Sequence, residues 1–352
     1  MSPVWYTPQY SNFGFQLLGY ALESMTGKSF DEVMKKSVWG PLNLRQSSVF
    51  APEDQSQIVT PPGDPMFNMS IGDAAPGGGM YMSISDASKH VHAVLNNKQL
   101  TPLQTRRWLK PTTHTADLRL SIGSPWEIQR IEGMSKWHNV DIYTKAGSIG
   151  SWTSQYGIIP DYDVGYNVFV ATNGSVHAGI IEDIVQQNIL PALYNVAREQ
   201  ANAKFGGIYS ANGINSSMTL GVDSQHGLVI QNWISNGTDM FKVPGSGKPP
   251  LRALPTNLKA ANRVAFRILP QRSGKGCMSW LGVDVKRYGI KALDSLVFHT
   301  GADGSATSVV LPAFRAKLTK RATASGQPMQ RVYGEQSILT DQHPELKRWI
   351  DL

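Results

Sequence analysis

The hydrophobic residues of this chain change period along its length, and that succession restricts it to few folds. From Phe13 to about Lys36 they recur at helical spacing: Phe13, Leu17, Leu18, Tyr20, Ala21 and Met25, then Phe30, Val33 and Met34. Gly27 is placed to end the first helix and Ser29 to cap the second. WGPLNLRQSSV then reads as a loop, and APGGGMYMSISDASKHVHAVLNN as a glycine hinge leading to a helix that Ser85 or Asp86 caps. From about Trp126 the apolar residues fall on alternate positions. WEIQRIE and VDIYTKAGSIGSW read as strands, and TSQYGIIPDYDVGYNVFVATN as a hairpin turning at PDYDVG. Val176 to about Lys204 returns to helical spacing, kinked at Pro191, and is expected to pack on that sheet. Beyond FGGIYS come short β-rich runs (MTLGV, GLVIQNWIS, RVAFRIL, GCMSWLGVD, SLVFHTG, TSVVLPAF). The pattern predicts an α+β domain over 1–204, antiparallel sheet with helices, followed by a smaller all-β domain over 205–352.

Composition narrows the functions. With 33 Lys+Arg against 26 Asp+Glu the chain carries +7, but the basic residues are scattered, with nothing denser than pairs such as Lys35-Lys36 and Arg106-Arg107. No nucleic-acid partner is expected. No apolar run reaches the roughly 18 residues of a membrane span, and MSPVWYTPQY lacks the basic start and apolar core of a signal peptide. A cytoplasmic chain with no membrane partner is the expectation. The sequons at Asn68, Asn173, Asn215 and Asn236 would matter only in a secreted protein. The single cysteine, Cys277, excludes an internal disulfide and a cysteine-based zinc site and reads as a buried structural thiol. His90 and His92 lie two apart on a predicted helix, hence on different faces, which argues against a metal pair. No metal and no cofactor are expected.

Three segments carry the chemistry: YSNFGFQLLGYALESMTGKSFDEVMKKSVWGPLNLRQSSV (10–49), PGGGMYMSISDASKHVHAVLN (76–96) and KAGSIGSWTSQYGIIPDYDVGYNVFVATN (145–173). In that order they resemble the serine β-lactamase-like family of class C β-lactamases, DD-peptidases and related esterases and transesterases. The resemblance covers about residues 1 to 200. The tail from 206 to 320 is similar to the extra C-terminal domain of β-lactamase-like proteins of filamentous fungi. The resemblance implies a cleft built from three elements: a Ser-x-x-Lys nucleophile and base, a Tyr-x-Asn loop for proton transfer and substrate contact, and a Lys/His-x-Gly strand giving positive charge and an oxyanion donor.

By that resemblance Tyr10, Asn12 and Lys145 are the catalytic candidates, with Ser11, Gly147, Ser148 and Trp152 as substrate-binding candidates. The Ser148 backbone N–H would form half of an oxyanion hole, and Gly147 would leave the strand edge bare for a substrate carbonyl. A tyrosine has an unperturbed pKa near 10, so it needs a cation such as Lys145 nearby to act as a base at neutral pH. Ala146 stands where most relatives carry threonine, which removes one hydroxyl contact.

The first element is missing: no lysine here has a serine three positions before it, and the nearest imitation is Thr256-Asn-Leu-Lys259. Only nine residues precede Tyr10, whereas in the family the nucleophile lies upstream. An acyl-enzyme of the usual kind is therefore not expected from this polypeptide alone. The expected function is a non-hydrolytic enzyme, of cyclase or isomerase type in secondary metabolism, in which Tyr10 and Lys145 move a proton or hold an oxyanion. The alternatives are a truncated or split serine hydrolase or acyltransferase whose Ser-x-x-Lys lies on another segment, and a non-catalytic ligand- or partner-binding relative.

Trp5, Trp126 and Trp137 read as core filling, with His138 surface or core, while Trp152 borders the cleft, where an aromatic wall suits a small, apolar organic substrate. Without the family's N-terminal strands, the strands from about Asp141 to Thr172 would have an uncovered edge. Ile180, Ile181, Ile184, Ile189 and Leu193 would lack a partner. A homodimer or a complementing chain is expected to cover them.

Overall fold

The structure is a computed structural model in which residues 6–54, 56, 58–61, 64, 69–135, 138–243, 250–270 and 282–321 are described, with backbone alone for 133–135 and 138. Trp5, Asn68, Trp137, Cys277, the His138 side chain and most of the PGSGKPP segment lie outside that description. Contacts divide the chain into two units, residues 1–134 with 139–190, and residues 135–138 with 191–352.

In the first unit, Ser11 takes up extended backbone and its hydroxyl accepts from the Gly14 N–H, which starts the helix Asn12–Thr26; Gly27 ends it at φ 64°. Ser29 and Glu32 close a capping box on the helix Phe30–Met34. That helix is shorter than its apolar spacing predicts, because a π-helical turn, Lys35–Trp39, takes over. The WGPLNLRQSSV segment is not wholly loop either: Gly40–Leu42 forms a helical turn and Ser47–Ser48 pairs with Tyr81–Met82.

The helix Ile84–Leu95 is capped by Ser83 rather than by Ser85 or Asp86. Asp86 sits inside the first turn, and its buried carboxylate accepts from the Gln46 N–H, the Ser47 hydroxyl and the Lys89 ammonium. Burial raises the Asp86 pKa, but these hydrogen bonds outweigh it and the net direction is down.

Six strands follow as one meander in sequence order: Thr113–His114, Leu120–Ile122, Glu127–Ser135, His138–Ile149, Trp152–Ile159 and Val164–Ala171. The last two form the hairpin read from the sequence, turning through Pro160–Tyr162 with Asp163 at φ 58°. The core between this sheet and its helices holds Val94, Leu109, Trp126, Ile128, Tyr143 and Ile158. A Cβ on Gly165 would fall 2.3 Å from Val91, so glycine permits the close approach of helix Ile84–Leu95 to the last strand.

The long helix Ala178–Phe205 meets the sheet through a face that apolar spacing did not reveal. Its buried residues are Ala178, Glu182, Gln186 and Leu190, one every fourth position, and two of them are polar. Tyr166 donates to Glu182 at 2.6 Å, and Gln186 donates to Tyr166 at 2.8 Å and to Gln129 at 3.0 Å. A polar network thus replaces the isoleucine seam: Ile189 is exposed, and Ile180, Ile181, Ile184 and Leu193 are half-buried. Pro191 lies within the helix.

The second unit is a β barrel. In spatial order its strands are 216–221, 207–211, 316–320, 306–311, 295–300, 263–270, 251–260 and 228–235, and the last pairs back onto the first. Its interior is packed by Tyr209, Met218, Trp233, Phe266, Leu296, Phe298 and Leu318 among others. Leu251–Ala260 was not legible as a strand because it contains Pro255; its register with Arg263–Pro270 shifts between Pro255 and Lys259, an irregularity that accommodates the missing N–H.

Candidate active site

Tyr10 is placed by the helix that follows it. Its hydroxyl donates to Asn12 Oδ1 at 2.8 Å, and Asn12 is the first residue of the helix that Ser11 caps. The Ser11 hydroxyl accepts from the Gly14 N–H at 3.2 Å, which makes it the cap of that helix. The helix is seated against Ala75–Gly78, a helical turn where the sequence suggested a glycine hinge. A Cβ on Gly19 would fall 2.4 Å from Pro76, and one on Gly77 would fall 3.0 Å from the Asn12 carbonyl oxygen.

Lys145 comes from the strand His138–Ile149, in register with Tyr156 of the next strand. Its ammonium lies 5.0 Å from the centroid of the Tyr10 ring. It donates to Glu127 Oε1 at 2.6 Å and to the Ala146 carbonyl oxygen at 2.8 Å. The other carboxylate oxygen, Glu127 Oε2, accepts from the Ala146 N–H at 3.1 Å. Glu127 opens the neighbouring strand, and its own carbonyl accepts from the Thr144 hydroxyl, which holds the two strands together at this end. The carboxylate therefore clasps both the side chain of Lys145 and the backbone after it.

Gly147 and Ser148 continue the same strand at its exposed rim, opposite Ser154 and Thr153. A Cβ on Gly147 would come within 2.5 Å of Ser154 Oγ, so the bare edge also follows from the cross-strand neighbour. Trp152 closes the hairpin opposite Ile149, half-buried, and its indole N–H donates to the Val59 carbonyl at 3.0 Å. The structure thus brings together Tyr10, Asn12 and Lys145, and leaves Trp152 to a loop contact of its own. Trp126, by contrast, is core, stacked on Tyr156.

Across from Lys145 on the neighbouring strand, burial pushes the Tyr156 phenol up, as it pushes the His90 imidazole down, and the two are hydrogen-bonded at 2.9 Å. Burial, then the Asp141 charge, pushes Tyr143 up to about 12. His92 is exposed on another face of the helix. No group of three or more His, Cys, Asp or Glu side chains able to hold a metal occurs among the described residues, and no described helix is long and apolar enough to cross a membrane.

Glu127 is the site residue that sequence reasoning missed. It stands in the WEIQRIE segment read as a strand, but its link to Lys145, eighteen positions away, depends on strand register. The available signal was a carboxylate opening the strand next to one that carries a lone lysine.

Comparison with known proteins agrees with this architecture. The family described as "Beta-lactamase" matches residues 2–189, and the family described as "Beta-lactamase-like-like, C-terminal domain" matches residues 197–322. A "Beta-lactamase-like protein" from Arthroderma benhamiae is 30% identical over 89% of this chain and 61% of its own length. A probable hydrolase from Phoma sp. is 28% identical over 90% of this chain and 57% of its own. The chain thus spans little more than half the length of these relatives. Among solved structures, a β-lactamase/D-alanine carboxypeptidase from Yersinia pestis complexed with citrate is 18% identical, covering 52% of this chain and 54% of that one with a TM-score of 0.44. By the match of its first domain, the chain belongs to the β-lactamase family.

Proposed function

We propose that this chain is an enzyme that uses the β-lactamase scaffold for proton transfer on a small, largely apolar carbonyl compound, as a cyclase or isomerase of secondary metabolism, without an acyl-serine of its own. The observation that carries this reading is the convergence of Tyr10, Asn12 and Lys145 in a sequence that holds no Ser-x-x-Lys. In such a reaction an internal nucleophile of the substrate adds to its carbonyl carbon. The Tyr10 O–H, now given to Asn12, turns to protonate the carbonyl oxygen, and the phenolate left behind faces the Lys145 ammonium. The proton released by the nucleophile returns to Tyr10, so the product is an isomer of the substrate.

The second reading is hydrolysis by a serine on a further segment, favoured by the probable-hydrolase name of one relative and by the length of the relatives beyond the match. The two differ by one water. A panel of lipophilic hydroxy-ketones and hydroxy-esters is incubated with the chain and followed by mass spectrometry. Tyr10-dependent products of unchanged mass support the first reading; the acid and alcohol of a cleaved ester, which together carry one added water, or isomer formed equally well by Tyr10→Phe, overturn it. A second polypeptide surface, from another copy or a complementing chain, is part of the proposal, since it would cover the apolar face of helix Asn12–Thr26.

A further inference from the structure

We infer that Glu127 is an internal carboxylate that sets the charge of the substrate: the cleft takes neutral carbonyl compounds and turns away carboxylates. The inference rests on the proposed reading of the Tyr10–Lys145 cleft and adds to it the class of compound admitted.

An ammonium at the rim of a cleft is ordinarily the point where a substrate carboxylate anchors, through its charge and its three donors. At Lys145 two of those donors are already spent. One goes to Glu127 Oε1 at 2.6 Å and one to the Ala146 carbonyl at 2.8 Å, and the ammonium lies over the Tyr10 ring at 5.0 Å. The backbone donor beside it is spent too, because the Ala146 N–H is held by Glu127 Oε2 at 3.1 Å. Residue 146 is alanine, so its side chain offers no hydroxyl in compensation.

An incoming carboxylate would therefore meet an ammonium already paired with one carboxylate, and would have to approach the negative charge of Glu127 itself. A neutral ester, lactone or ketone needs none of these donors. It requires the Tyr10 hydroxyl and the exposed backbone at Gly147 and Ser148, which Glu127 leaves clear. Both partners remain partly solvent-accessible, with side chains 26% exposed for Lys145 and 40% for Glu127, so ligand and carboxylate compete for the same space.

The test uses phenylacetate and methyl phenylacetate, which differ at the carboxyl group alone, titrated into the full chain and followed by the amide resonances of Ala146 to Ser148. The wild type is expected to bind the ester at least tenfold more tightly than the acid. Glu127→Gln, isosteric but uncharged, is expected to shift that ratio at least tenfold toward the acid. Glu127→Asp, which keeps the charge, is expected to retain the preference for the ester and serves as the control should the glutamine variant unfold. An acid bound by the wild type as tightly as the ester, or a ratio unmoved in Glu127→Gln, overturns the inference while leaving the proton-transfer reading intact. If neither compound perturbs Tyr10 or residues 146–148 in any of the three proteins, the cleft reading itself fails, and this inference with it.

Discussion

The ammonium of Lys145 stands 5.0 Å from the centre of the Tyr10 ring, although the two residues lie on separate elements 135 positions apart. Neither is held there by the other. A cation over an exposed aromatic face contributes only about 0.5–1 kcal/mol, whereas Lys145 is clasped by Glu127 and Tyr10 is bonded to Asn12. Each element is built independently, and the two side chains meet where the elements adjoin.

Tyr10→Phe is expected to leave the fold unchanged and to lower the rate of any reaction in this cleft by roughly 100- to 10,000-fold, the range for loss of a proton-transfer group. Tyr10 is exposed and loses only the bond to Asn12, so the melting curve should shift by no more than about 0.5 kcal/mol. Circular dichroism on both proteins, beside the product assay, separates the two effects.

The 352-residue chain alone is expected to form no stoichiometric acyl-serine. No serine is followed three residues later by the lysine that would take its proton. Intact-mass measurement after treatment with a fluorophosphonate should show unmodified protein; one adduct per chain mapped to a single serine would show that another group activates it.

Gly19→Ala should destabilise the first unit. An alanine in mid-helix ordinarily gains about 0.5–1 kcal/mol over glycine. Here its Cβ would fall 2.4 Å from a Pro76 ring carbon, and forcing an atom into a packed contact costs about 1–3 kcal/mol. The clash is the larger effect, so thermal denaturation should move to lower temperature.

Acid should loosen the packing of helix Ile84–Leu95 on the sheet through His90. Burial lowers the folded pKa of its imidazole below the unfolded value of about 6.5. The folded state then binds fewer protons than the unfolded one. The associated stability is present above about pH 6.5 and is lost as the pH falls through the lower, folded value. Urea titrations from pH 7.5 to 5 should show the loss, and His90→Gln should flatten that part of the profile.

Concentration-dependent association is expected in sedimentation experiments. Phe13, Leu17, Leu18, Leu22 and Met25 stand exposed along one helix, and among the described residues the edge strand Val164–Ala171 pairs with Trp152–Ile159 alone within its sheet. Leu18→Lys combined with Met25→Lys should shift the sedimentation profile toward the monomer; an unaltered profile would place the contact elsewhere.

Much of this was settled by the sequence itself, because local chemistry acts over a few residues. Gly27 and Ser29 mark helix ends through a left-handed backbone and a side-chain cap, and PDYDVG marks its turn. The alternation of apolar residues from Trp126 onward is enough to specify strands and the face they bury. The three segments that resemble the β-lactamase-like family likewise stand in the sequence as written. What the tertiary structure alone decided depends on register and on which face of a helix turns inward. The helix from Ala178 buries Glu182 and Gln186 because Tyr166 and Gln129 satisfy them there, so polar residues occupy a seam that isoleucines would have been expected to fill. Leu251–Ala260 is a strand despite Pro255 because a register shift accommodates the lost donor. Glu127 reaches Lys145 only through the pairing of two strands, and a one-residue slip in that pairing would turn its carboxylate to the opposite face of the sheet.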